Sequence, residues 1–86
     1  MSYDKITVVI NTFKSEDKIH QCLNSIVPEV NIIIVENSNN NLFKDELEKK
    51  YTNAKCILAG KNLVYAKGNN LGLSKVKTKY ALILNP

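Results

Sequence analysis

The sequence predicts an α/β fold, a three-layer open parallel sheet with the order β-α-β-α-β-α-β. Short, β-branched or apolar runs recur four times, with apolar residues on both faces, as buried parallel strands require. Between them lie stretches whose apolar residues return at helical spacing. The joints are marked by Asn, Ser, Gly and Pro, and no linker or repeat divides the chain. Such alternation closes as right-handed crossovers, which put helices on both faces of one sheet.

The elements follow in order. Ile6-Thr7-Val8-Val9-Ile10 reads as a central strand, and Asn11-Thr12-Phe13-Lys14 breaks it. Ser15 is placed to cap a first helix, with Glu16 and Asp17 in the turn where the helix dipole favours acids. Ile19, Cys22, Leu23 and Ile26 then form one apolar stripe, and Pro28 ends the helix. Ile32 to Val35 is a second buried strand that finishes on Glu36. The Asn-rich run that follows has strong turn chemistry. Phe43, Leu47 and Tyr51 mark a second helix, expected to be more polar and shorter than the first. Cys56-Ile57-Leu58-Ala59 is a third strand, closed by Gly60. From Tyr65 the pattern turns helical, with Ala66, Asn69, Asn70, Leu73 and Val76 assigned to one face. Gly72 inside that helix costs about 1 kcal/mol relative to Ala, which points to a close packing contact. Tyr80 to Leu84 is the fourth strand.

A chain of 86 residues is one small domain, burying roughly 60–65% of its unfolded surface. No apolar run approaches a membrane span, and the N-terminus lacks the apolar core of a secretory signal, so a cytoplasmic protein is expected. Net charge is +4, and all twelve basic residues are lysines. Without Arg, and with its lysines scattered, the chain is a poor candidate for reading nucleic acid. A mild positive field would still favour a polyphosphate. Cys22 and Cys56 read as core residues, and the single His20 builds no zinc site with them.

Ligands of open parallel sheets bind beyond the carboxyl ends of the strands. Here those ends are Asn11-Thr12-Phe13, Glu36-Asn37-Ser38, Gly60-Lys61-Asn62 and Asn85-Pro86, all polar or Gly-bearing. The first β-α turn has no glycine, which disfavours a dinucleotide fingerprint or a P-loop. The Lys67–Gly72 stretch KGNNLG is a weak phosphate loop. Glu36 is the most informative residue: it reads either as an acceptor for a ribose or a base N–H, or as a helix-capping or solvent-facing acid. Phe13 reads as a stacking platform or a core aromatic, and Asn11 and Thr12 as pocket or cap. Lys67 reads as a phosphate contact or a solvated lysine. Asn62, Asn69 and Asn70 read as ligand contacts or as turn and cap residues.

Three stretches together resemble glycosyltransferase family 2, a large inverting family of GT-A fold. VVINTFKSEDKIHQCLNSI is similar to its opening strand and helix, and NIIIVENSNN to its second-strand motif. NLVYAKGNNLGLSKVKTKYALILNP is similar to its NLGFAKGNN…LNPD segment, as found in the rhamnosyltransferase-like branch. They fall in the family's order and cover nearly the whole chain. The resemblance implies the Rossmann-like half of a GT-A domain, with strand order 3-2-1-4. It implies a UDP- or dTDP-sugar as donor, a saccharide or lipid-linked acceptor, and Mg²⁺ or Mn²⁺ as cofactor.

By the same resemblance Asn11, Thr12 and Phe13 line the base pocket, and Glu36 stands where the family has an Asp on the pyrimidine ring. Asn37 and Ser38 follow it as in the family motif, while Asn69 and Asn70 match a polar pair facing the nucleotide. Asn85 takes the first position of a DxD-like metal motif and Pro86 the second. Val64 departs from the Gly usual in the turn after Asn62. The metal-holding acid is expected just beyond Pro86, and the base and acceptor pocket in a further half, so residues 1–86 read as a donor-binding half-domain. On that reading the 86 residues are inactive alone, prone to self-association, and membrane-peripheral if the complete protein meets a lipid-linked acceptor. The alternative is a stand-alone, non-enzymatic α/β nucleotide-binding or interaction module.

Overall fold

The computed structural model describes residues 3–14, 16–38, 40–61, 63 and 65–86, and of residues 16, 65 and 66 the backbone alone. The expected cap Ser15 and the turn residues Asn62 and Val64 lie outside the described residues. After a single 3-10 turn, the chain runs β1 (Ile6–Thr12), α1 (Glu16–Asn24), β2 (Asn31–Glu36), α2 (Asn41–Lys50), β3 (Ala54–Leu58), α3 (Tyr65–Leu73) and β4 (Tyr80–Leu84). All pairings are parallel and the strand order is β3-β2-β1-β4, as expected.

The period-2 alternation of strands decides what each face carries. Val8 and Ile10 of β1 and Ile32 and Ile34 of β2 join Ile19 and Leu23 of α1 and Phe43 and Leu47 of α2 in one core. Val9 and Val35 point to the opposite face, where α3 packs. Each fully buried aliphatic side chain in these layers stabilises the fold by about 1.5–3 kcal/mol. The core sits over β1 and β2, the two inner strands. The edge strand β4 is left open, with Tyr80, Leu82 and Ile83 exposed and Leu82 at 54%.

Several boundaries differ from the sequence reading, for reasons that lie between elements. β1 runs two residues past Ile10, because β2 continues beside it and Thr12 is register partner of Glu36. The chain then breaks at Lys14, which takes the left-handed region at φ 50°. α1 ends at Asn24, well before Pro28. Ser25 N and Ile26 N bond to the carbonyls of Cys22 and Leu23 at 3.1 and 3.2 Å, a tightened last turn. Pro28 disfavours helix at the residue before it, so the winding down comes early. α2, at ten residues, is not shorter than the nine-residue α1. Asn40 caps it by accepting from Phe43 N at 3.0 Å, which starts it inside the Asn run. β3 starts at Ala54, earlier than the apolar residues alone indicated. Gly60 closes the connection after β3 at φ 85°, a conformation that favours glycine.

α3 differs most. Its sheet-facing residues are Gly68, Asn69 and Gly72; Asn70 is exposed and Val76 lies beyond the helix. Successive helical residues are about 100° apart, so Asn69 and Asn70 do not share a face. A Cβ on Gly72 would lie 2.5 Å from Val9 Cγ1 and 3.2 Å from Val35 Cγ2. Gly72→Ala is therefore expected to destabilise by about 1–3 kcal/mol through overpacking, outweighing the gain in helix propensity. Urea unfolding checks this. Combined with Val9→Ala, it should cost less than the two single changes summed, and a Gly72→Ala protein as stable as the parent would refute the tight contact.

Away from the strand ends, α1 and α2 are joined by a polar seam. His20 Nδ1 and Tyr51 Oη are 3.0 Å apart, Tyr51 Oη donates to Asn24 Oδ1 at 3.3 Å, and His20 Nε2 lies 3.8 Å from Glu46. His20 thus serves helix packing. Cys56 is buried as expected and its thiol is pushed up to about 12, by burial first and then by Glu36 and Glu48, with Lys44 opposing. Cys22 is half-buried and its thiol is raised by the same desolvation. Neither is poised as a nucleophile at neutral pH.

Candidate functional site

The strand alternation that builds the core also sorts the polar residues at the carboxyl ends. Thr12 and Glu36 continue the rows of Val8–Ile10 and Ile32–Ile34, so they extend the face covered by α1 and α2. Asn11 and Asn37 fall on the α3 face.

Glu36 is 0% exposed. A buried carboxyl group is costly unless it is hydrogen-bonded, and its two oxygens fare differently. Oε2 accepts from Ser38 N at 3.1 Å, Ser38 Oγ at 2.5 Å and Asn40 N at 3.3 Å. It thereby shapes the turn that leads into α2. Oε1 is equally buried and has no hydrogen-bond partner among the described residues; nor has Thr12 Oγ1 on the adjoining strand. Of the readings of Glu36 left open by the sequence, the capping one describes Oε2, which accepts from the turn ahead of α2. One oxygen holds the turn and the other is uncommitted.

Asn37 is a brace. It is 4% exposed, and its Nδ2 donates to Asn11 Oδ1 at 2.5 Å and to Thr12 O at 2.9 Å. Its Oδ1 accepts from Leu63 N at 3.0 Å, and its own N–H donates to Thr12 O at 3.0 Å. One amide side chain therefore ties the ends of β1 and β2 to the connection between β3 and α3. Gly68 lies against the other side of Asn11, where an added Cβ would overlap the Asn11 amide. Asn69, next to it, is buried and its Oδ1 has no partner among the described residues. The KGNNLG stretch is accordingly part of a helix packed on the sheet, and its glycines admit close approach instead of wrapping a phosphate.

The remaining candidates lie nearer solvent. Phe13 is 45% exposed at the end of β1, with Lys14 Nζ 5.3 Å from its ring centre. It is no core aromatic. Ser38 is half-buried on Glu36, Lys67 and Asn70 are exposed on α3, and Asn85 is exposed past β4. Three further residues, Gly68, Asn40 and Leu63, help to build these strand ends. Gly68 could have been found as a second glycine in a helical pattern four residues before Gly72. Asn40 and Leu63 contribute backbone N–H groups, which no side-chain pattern signals.

A divalent cation of the Mg²⁺ or Mn²⁺ type wants several oxygen ligands, usually with carboxylates among them. Asn85 offers one neutral amide, and no group of three or more His, Cys, Asp or Glu side chains among the described residues could hold a metal. The residues present do not make up such a site. No helix among the described residues is long and apolar enough to cross a membrane.

An open parallel sheet with helices on both faces and polar side chains gathered at its carboxyl ends is, in class, a Rossmann-like α/β domain. Residues 7–86 match the family model described as Glycosyl transferase family 2, and the chain belongs to that family. No curated protein matches the chain. Membership places it among glycosyltransferases, which generally use nucleotide-sugar donors and a divalent metal.

Proposed function

We propose that the carboxyl ends of β1 and β2 bind the pyrimidine nucleotide of a UDP- or dTDP-sugar, as the donor side of an inverting transfer to an acceptor hydroxyl. One observation carries this reading: the buried, unpartnered Oε1 of Glu36, beside the unpartnered Thr12 Oγ1. An imide N–H of a uracil or thymine ring is the donor that a lone carboxylate oxygen lacks, and the neighbouring ring carbonyl would take the Thr12 hydroxyl proton. Phe13, adjacent in sequence and partly exposed, would turn to stack on the base, an arrangement worth about 1–3 kcal/mol. Asn11 and Asn37 hold the pocket wall in place. Asn69 and Ser38 supply polar groups around the nucleotide, and Lys67, on the exposed side of α3 with Asn70, screens the diphosphate. Asn62 is a further candidate contact on the family resemblance alone.

The parent reaction would proceed by attack of the acceptor oxygen on the anomeric carbon with departure of the nucleoside diphosphate, assisted by a carboxylate base. On this reading the side chains assembled at the site bind and orient, and the Glu36 carboxylate is taken up by the base ring. The 86 residues are therefore expected to bind donor without transferring sugar by themselves. Calorimetric titration with UDP, dTDP and NAD tests the reading. UDP or dTDP should bind and NAD should not, whereas NAD binding without either pyrimidine nucleotide would reverse the assignment.

A further inference from the structure

The β3 side of the molecule carries a basic trough whose lining includes none of the donor-site residues. α3 packs mainly on β1 and β2 and leaves the edge strand β3 flanked by open space. That space is a depression of about 740 Å³ whose lining includes Ile33, Ile57 and Leu58. Lys44, Lys55, Lys75 and Lys77 stand around it, and the last three also line a second depression reaching Thr7 and Asn31 at the amino ends of the strands. The two form one band. No Asp or Glu lines either depression, and none of these four lysines is in an ion pair among the described residues. Like charges around one concavity raise the local potential and favour an anion there.

The outer edge of β3 also limits how an occupant could be held. Cys56 N donates to Glu48 Oε2 at 2.7 Å and Ala54 N to Tyr51 O at 3.0 Å, so these outward N–H groups are already taken. Addition of another strand by main-chain pairing is blocked at both positions. What remains is side-chain recognition: ammonium groups around the trough, Asn and Thr residues at one end, and apolar residues between. Lysine is a hydrated point charge that suits separate carboxylates better than planar, two-pronged phosphate readout. Two adjoining depressions that share Lys55, Lys75 and Lys77 fit a chain better than a flat bilayer.

We propose that this trough binds an acidic polypeptide segment carrying apolar side chains between its carboxylates. Neither depression is lined by Asn11, Thr12, Glu36 or Asn37, so the trough lies outside the residues assigned to the nucleotide.

The test is fluorescence anisotropy of the 86-residue chain with a short fluorescein-labelled peptide of alternating Glu and Leu, at low salt. The double variant Lys75→Glu/Lys77→Glu should weaken binding by about tenfold or more, since each rim charge becomes repulsive. Lys49→Glu/Lys50→Glu makes the same change in net charge on α2, outside the trough, and should weaken it by about twofold or less. Lys75→Gln/Lys77→Gln serves as the milder pair should charge reversal disturb the fold, which circular dichroism reports. Equal losses for the two reversal variants would overturn the proposal in favour of nonspecific attraction. No binding at millimolar protein would overturn it as well, as would capture by phosphatidylglycerol vesicles with none of the peptide.

Discussion

Glu36→Gln should weaken UDP or dTDP binding by about 10- to 100-fold while leaving the free protein as stable as the parent, or slightly more so. The carboxyl group is fully buried, with one oxygen held by Ser38 and Asn40 and the other unpartnered. A glutamine can turn its amide oxygen to the turn N–H groups and keep that half of the arrangement. It then presents an NH₂ where Oε1 stood. An incoming imide N–H meets a donor instead of an acceptor, and a charge-assisted hydrogen bond worth about 1.5–3 kcal/mol is lost. An amide is cheaper to bury than a carboxylate, so stability should not fall with affinity. Glu36→Ala is expected to behave differently. It leaves the turn donors without their acceptor and opens a hole in the core, and should cost about 2–4 kcal/mol of stability. Calorimetry on both variants, with urea unfolding alongside, separates the two roles. If Glu36→Gln bound nucleotide as tightly as the parent, the carboxylate would be a turn-former only, and the base contact would lie elsewhere.

Asn37→Leu is expected to destabilise the domain by about 2–4 kcal/mol. The change keeps much of the volume but removes the Nδ2 bonds to Asn11, Thr12 and, at 3.5 Å, Val35, and one accepted bond, from a buried position. Thr12 O still has the backbone N–H of residue 37, whereas Leu63 N loses the acceptor that Asn37 Oδ1 provides. Asn37→Asp should be at least as costly. Its carboxylate would face the oxygens of Asn11 and Thr12 where an NH₂ now donates. A global loss of stability alone would not establish the bracing role. Hydrogen exchange at the Leu63 amide does: the variant should speed exchange there more than at α1 or α2 sites of similar stability. Unchanged protection at Leu63 would show that something other than Asn37 holds the β3–α3 connection.

Much of this architecture was legible in the chain because its evidence is local. Ile32 to Val35 is a continuous apolar run, and the Ile19-to-Leu23 stripe has a helical period, so element type and order follow from spacing alone. The polar residues at the carboxyl ends were legible for the same reason: each strand's last apolar residue marks where its ligand-facing end begins. Glu36 stood out as an acid closing a buried strand. The family motifs, spread over most of the chain, added the strand order.

Tertiary structure alone decided what those residues do. Which Glu36 oxygen is spent depends on where the Ser38 and Asn40 N–H groups come to lie once α2 docks. Asn37 became a brace because the ends of β1 and β2 and the connection at Leu63 converge on it. Asn69 is turned inward and Asn70 outward by the rotation of α3, which is set by how closely Gly68 and Gly72 let the helix approach Asn11 and Val9. Periodicity is a property of neighbours along the chain. Hydrogen-bond satisfaction and close approach are properties of neighbours in space, and they exist only after distant elements have packed.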